Sequence, residues 1–98
     1  MYKTISSNDL EKLMSNQEVT IVDVREQDEY DYAHIPGVNH VPLSGFPENI
    51  QLIDQTKENY IICASGSRSS MACDFLSKQG YDIVNVQGGM MMWRGAVK

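Results

Sequence analysis

The chain is short of positive charge. Eight Lys and Arg stand against thirteen Asp and Glu in 98 residues, giving a formal net charge of -5 and a sequence pI near 4.8. A general nucleic-acid or membrane-surface role needs a basic face, so neither partner is expected. Long apolar runs are missing too. No stretch approaches the ~20 apolar residues that span a bilayer, and no basic segment followed by an apolar one opens the sequence, so a cytoplasmic protein is expected. Cysteine is scarce: Cys63 and Cys73 read as reactive or buried thiols rather than a disulfide framework. His34 and His40 lack a ligand cluster with zinc spacing, so a hydrogen-bonding role is expected for His34, with no metal and no cofactor. Repeats, low-complexity tracts and linkers are absent as well, and residues 1–98 read as one domain with one core.

What is present is an alternation of strand and helix patterns. Ser6 with Asp9 resembles a capping pair, and Leu10, Leu13 and Met14 make an apolar stripe for a helix over about residues 7–15. Val19–Val24 is a β-branched run suited to a strand buried on both faces. Glu26–Tyr32 suits a short helix closed by Ile35-Pro36-Gly37, and Val38–Val41 is a weaker strand. Pro47 is placed for the first turn of a helix carrying Ile50 and Ile53. Tyr60–Cys63 is the second strong strand, followed by helical spacing from about Ser67 to Gln79 with Gly80 as its stop. Tyr81–Val86 reads as a strand, and Gly88-Gly89 leads into a last helix that packs Met90, Trp93 and Val97. This order predicts an α/β fold with a mainly parallel central sheet flanked by helices. Ligands of such sheets bind beyond the carboxyl ends of the strands, where Cys63 stands.

The run Ile61-Ile62-Cys63-Ala64-Ser65-Gly66-Ser67-Arg68-Ser69 carries the chemistry. It sets a thiol where a buried strand gives way to a short polar loop and then a helix. Loop amides and the positive end of the helix dipole can converge there on a negative centre. In such surroundings a thiol pKa falls from ~8.5 to about 3.5–7.5, and the thiolate is the reactive form. Gly66 lets the backbone curl, and Arg68 adds a positive charge at the far end of the loop. Core packing of Cys63 is the plain alternative, but it does not account for Ser-Gly-Ser-Arg beside it. Cys73, several residues inside the helix, reads as a core residue rather than a resolving thiol. Met90-Met91-Met92 reads as packing for the last helix. Asp23 and Arg25, at the end of a strong strand, read either as an ion pair of the scaffold or as groups that orient the active loop.

Four segments, in order, resemble the rhodanese family over nearly the whole chain. They are Asp23-Val24-Arg25-Glu26, Glu29-Tyr30 leading to His34-Ile35-Pro36-Gly37-Val38, Cys63 through Ser69, and Gly88-Gly89 with Trp93. The resemblance implies a rhodanese-like sulfurtransferase in which Cys63 carries sulfur as a persulfide. Ala64, Ser65, Gly66, Ser67 and Arg68 would form the substrate cradle, with Asp23, Arg25 and Ser69 supporting it. The partners implied are a small sulfur-containing anion or persulfide as donor, and cyanide, a thiol or a thioredoxin-like protein as acceptor. No charged side chain lies between Cys63 and Arg68, which favours persulfides over thiosulfate.

Two other readings stay open. A cysteine-dependent phosphatase uses the same thiolate, amides and arginine, but its loop resembles Cys-x5-Arg, whereas Cys63 to Arg68 is Cys-x4-Arg, a tighter cradle. A rhodanese-like interaction or sulfur-relay module would load sulfur only from a dedicated partner.

Overall fold

Alternating apolar positions build the centre of the molecule. The computed structural model describes residues 2–98, with strands β1 (Lys3–Ser6), β2 (Thr20–Asp23), β3 (Asn39–His40), β4 (Glu58–Ile62) and β5 (Asp82–Gln87). Helices α1 (Ser7–Met14), α2 (Gln27–Tyr32) and α3 (Ser67–Lys78) alternate with them, and single 3-10 turns span Leu43–Gly45, Ile50–Leu52 and Gly89–Met92. The strands form one parallel sheet in the order β1-β5-β4-β2-β3, with Val22 opposite Ile61 and Tyr60 opposite Val84.

Because side chains alternate along a strand, Val22, Ile61 and Ile83 enter one core and Ile21, Tyr60, Ile62 and Val84 the other. The first core is closed by α3, whose buried Ser69, Ala72, Cys73 and Leu76 follow helical spacing on one face. The second is closed by Leu10 of α1, with Met90 and Trp93 packed against it. Each large aliphatic side chain buried this way contributes about 1.5–3 kcal/mol of transfer free energy. The Ser6 hydroxyl accepts the Asp9 amide at 3.0 Å and so caps α1. No described helix is long and apolar enough to cross a membrane.

Three segments depart from the sequence reading. Strand β1 carries no strong pattern, since Ile5 is its one apolar residue; pairing with β5 and the Lys3–Glu58 ion pair hold it at the sheet edge. The expected helix at Pro47 is replaced by two 3-10 turns, with Ile50 N–H donating to Pro47 and Ile53 N–H to Ile50. Asn49 turns its side-chain amide onto the Pro42 carbonyl at 2.9 Å, the local bonding by which Asn competes with helix. After Gly88 a single turn forms instead of a helix. The chain extends at Trp93, and Val97 stays half-exposed rather than packed.

Candidate functional site

Cys63 follows the last residue of β4 and is fully buried. Gly66 adopts φ 106°, in the left-handed region, and this bend turns its own N–H onto Cys63 Sγ at 3.1 Å. The amide of Ser69, in the first turn of α3, donates to the same sulfur at 3.3 Å, and the Ser69 hydroxyl lies 3.4 Å from it. Amides in that turn have no intrahelical acceptor, so they are available to an anion. Burial alone would push the Cys63 thiol up. Hydrogen bonds from the Ser69 hydroxyl and from the Ser69, Gly66 and Ser65 amides outweigh it, and the thiol lies below its ordinary value.

The Gly88-Gly89 turn braces the loop from β5. Met90 N–H donates to the Cys63 carbonyl at 2.8 Å and Met91 N–H to that of Ala64 at 2.9 Å. A Cβ on Gly89 would fall 2.4 Å from the Cys63 oxygen, so only glycine permits this approach. Ser65 and Ser67 are exposed at the rim, their hydroxyls 3.4 Å apart, and Ala64 is half-buried.

Arg68 does not point a free charge at the sulfur. Its guanidinium grips Glu29 of α2 through two bonds of 2.6 and 2.8 Å. Glu29 Oε1 also accepts the Glu26 amide at 3.1 Å, in the capping box of α2. The Arg68 hydrogen bonds hold the Glu29 carboxyl at about 2, and Glu29 in turn raises Arg68. With the carboxyl held low in the folded chain, the pair's contribution to stability is whole above about 4.5 and is lost as pH falls through about 2.

Asp23 and Arg25 form a buried pair. Arg25 Nε donates to Asp23 Oδ1 at 3.0 Å and Nη2 to Oδ2 at 2.8 Å; Nη2 also donates to the Ala33 carbonyl at 2.7 Å. Among the described residues these bonds reach no atom of the Cys63 loop, so the pair ties α2 to β2. Tyr30 stacks on both imidazoles, at 3.8 Å from His34 and 4.2 Å from His40. Cys73 is fully buried in the first core, where burial pushes its thiol up to about 12, far from nucleophilic use.

Sequence reasoning gave no role to Glu29 or to Asn85, whose amide oxygen lies 2.5 Å from the Ser69 hydroxyl. Glu29 stands in the Glu29-Tyr30 segment, where nothing in the sequence signals that Arg68 is its partner. For Asn85 the signal is an amide between Val84 and Val86 in a buried strand.

The profile of the rhodanese-like domain matches residues 6–96. The protein YtwF of Bacillus subtilis is 41% identical over 88 residues, which cover 90% of this chain and 85% of that protein. A protein of Allochromatium vinosum named sulfurtransferase is 33% identical, covering 95% of this chain and 89% of its own length. The crystal structure of a rhodanese-like domain protein from Staphylococcus aureus superposes with a TM-score of 0.86 at 36% identity, covering 94% of this chain and 91% of that one. On its sequence, its parallel sheet and its strand-end cysteine loop, the chain belongs to the rhodanese-like domain family.

Proposed function

We propose that the protein is a sulfurtransferase working through a persulfide on Cys63. The Cys63 thiolate attacks the outer sulfur of a donor R–S–S⁻, forming a new S–S bond. The donor's own S–S bond breaks, and its electron pair leaves with R–S⁻. An acceptor thiolate then attacks the outer sulfur and releases Cys63 as thiolate. The observation that carries this reading is the pair of amides, Gly66 and Ser69, aimed at the sulfur within 3.3 Å. They stabilise negative charge on it before and after transfer. Sulfurtransferase as the name of the Allochromatium relative supports the same reading. Work on a free thiolate suits a reducing compartment, the cytoplasm. The test is intact-mass spectrometry after incubation with an alkyl persulfide or polysulfide: one added sulfur atom is expected, removed again by cyanide or a thiol. A chain that never gains it overturns the proposal.

The charge balance selects the donor. Arg68 is paired with Glu29 and Arg25 with Asp23, so neither guanidinium is free to neutralise a dianion. Singly charged alkyl persulfides are therefore preferred over thiosulfate. Glu29→Gln frees Arg68 and is expected to raise kcat/KM for thiosulfate about tenfold at low ionic strength, with the gain fading as salt screens it. Alkyl-persulfide kinetics should hardly change. Unchanged thiosulfate kinetics in Glu29→Gln would refute this selection.

Complete burial of Cys63 favours a second reading, a relay module whose partner shifts the loop before sulfur passes. Turnover of small donors and acceptors with no protein partner rejects it.

A further inference from the structure

The Ser69 hydroxyl has one proton and more acceptors than it can serve. Within reach lie the Gly66 carbonyl at 3.1 Å, Asn85 Oδ1 at 2.5 Å and Cys63 Sγ at 3.4 Å. The shortest contact is with Asn85, from a different element, β5. Asn85 occupies a strand position whose neighbours along the same face include Ile83, in the core beneath α3, and it is 8% exposed. An apolar residue would fill that position without cost, whereas a buried amide needs a hydrogen bond to be tolerated. Among the described residues, the side-chain hydrogen bond of Asn85 is the one to Ser69.

With its oxygen facing Ser69, Asn85 takes the hydroxyl proton. Ser69 Oγ is then left to accept from the Cys63 S–H, in a chain running S–H to O–H to O=C. A half-turn of the amide puts N–H there instead, since the amide's two ends are nearly the same size. Ser69 Oγ then accepts from Asn85 and can donate its own proton to the sulfur. The first arrangement suits the thiol and the second the thiolate, and the thiol proton leaves to solvent between them. We infer that Asn85 is a positioning residue for Cys63, setting through Ser69 whether the nucleophile gives or receives a hydrogen bond. This role takes its catalytic meaning from the sulfurtransferase reading.

Other groups around the sulfur do not substitute for this pair. The Ser65, Gly66 and Ser69 amides donate in either state. From α3, Arg68 is held by Glu29 and Cys73 is buried and held as thiol.

The test reads the thiol directly, by the pH dependence of iodoacetamide alkylation at Cys63, in a Cys73→Ala background so that one thiol reports. Asn85→Val and Ser69→Ala should each shift the profile upward and slow alkylation near neutral pH about three- to tenfold, the worth of one hydrogen bond to the thiolate. Combined, they should slow it no more than Ser69→Ala alone, because Asn85 reaches the sulfur only through the Ser69 hydroxyl. Asn85→Ala, which cannot overpack the site, repeats the measurement if the valine variant does not fold. An Asn85 variant with the parent profile, or effects that multiply in the double variant, overturns the inference. Alkylation needs no sulfur donor, so the coupling can hold when persulfide formation fails, and the two failures are told apart.

Discussion

Cys63→Ala will load no sulfur, and transfer from any donor will fall at least about a thousandfold, to the level of the uncatalysed exchange. The expectation rests on the placement of the sulfur, the group on which the Gly66 and Ser69 amides converge. Removing it leaves the cradle without a nucleophile. Cys73 cannot take over, because it sits in the core with its thiol pushed up to about 12. Cys63→Ser gives the sharper control: an oxygen at this position keeps the hydrogen bonds but cannot form a persulfide, so mass spectrometry should show an unmodified chain. Sulfur transfer at the parental rate by Cys63→Ala would remove the mechanism altogether.

Arg25→Ala will destabilise the fold by about 3–5 kcal/mol, seen as a lower midpoint in urea unfolding. Asp23 is 1% exposed, and truncating Arg25 strands its carboxylate at the end of β2, in register with Ile62. Stranding a buried charge costs far more than an intact pair contributes, which separates this pair from half-exposed ones such as Arg68 with Glu29. Arg25→Lys should recover only part of the loss. One ammonium cannot reproduce the fork that serves both Asp23 oxygens and the Ala33 carbonyl. A loss below about 1 kcal/mol for Arg25→Ala would show that the pair is dispensable.

Much of the scaffold was written in local patterns. Val19–Val24 and Tyr60–Cys63 announce themselves as β-branched and apolar runs at the heart of β2 and β4, and Ala72, Phe75 and Leu76 announce α3 by their helical spacing. The Ser6 cap and the Gly80 stop are local too, each acting within a few residues. Strand β1 escaped because an edge strand with one apolar residue carries no burial pattern. The stretch around Pro47 escaped because a side-chain bond from Asn49 to Pro42, rather than periodicity, decides its turns.

Local patterns in the chain are enough for a mainly parallel α/β frame and a cysteine at the end of a strong buried strand, followed by a short polar loop into a helix. These follow from burial periodicity and from backbone preferences that act over a few residues. The electrostatics around that cysteine come instead from contacts between segments far apart in the chain. Arg68 meets Glu29 across 39 residues and Ser69 meets Asn85 across 16, and Gly89 presses on the Cys63 carbonyl from β5. Such meetings depend on the strand order β1-β5-β4-β2-β3 and on which faces the helices cover. A hydrophobic pattern records that a side chain is buried and not which distant partner it is buried against.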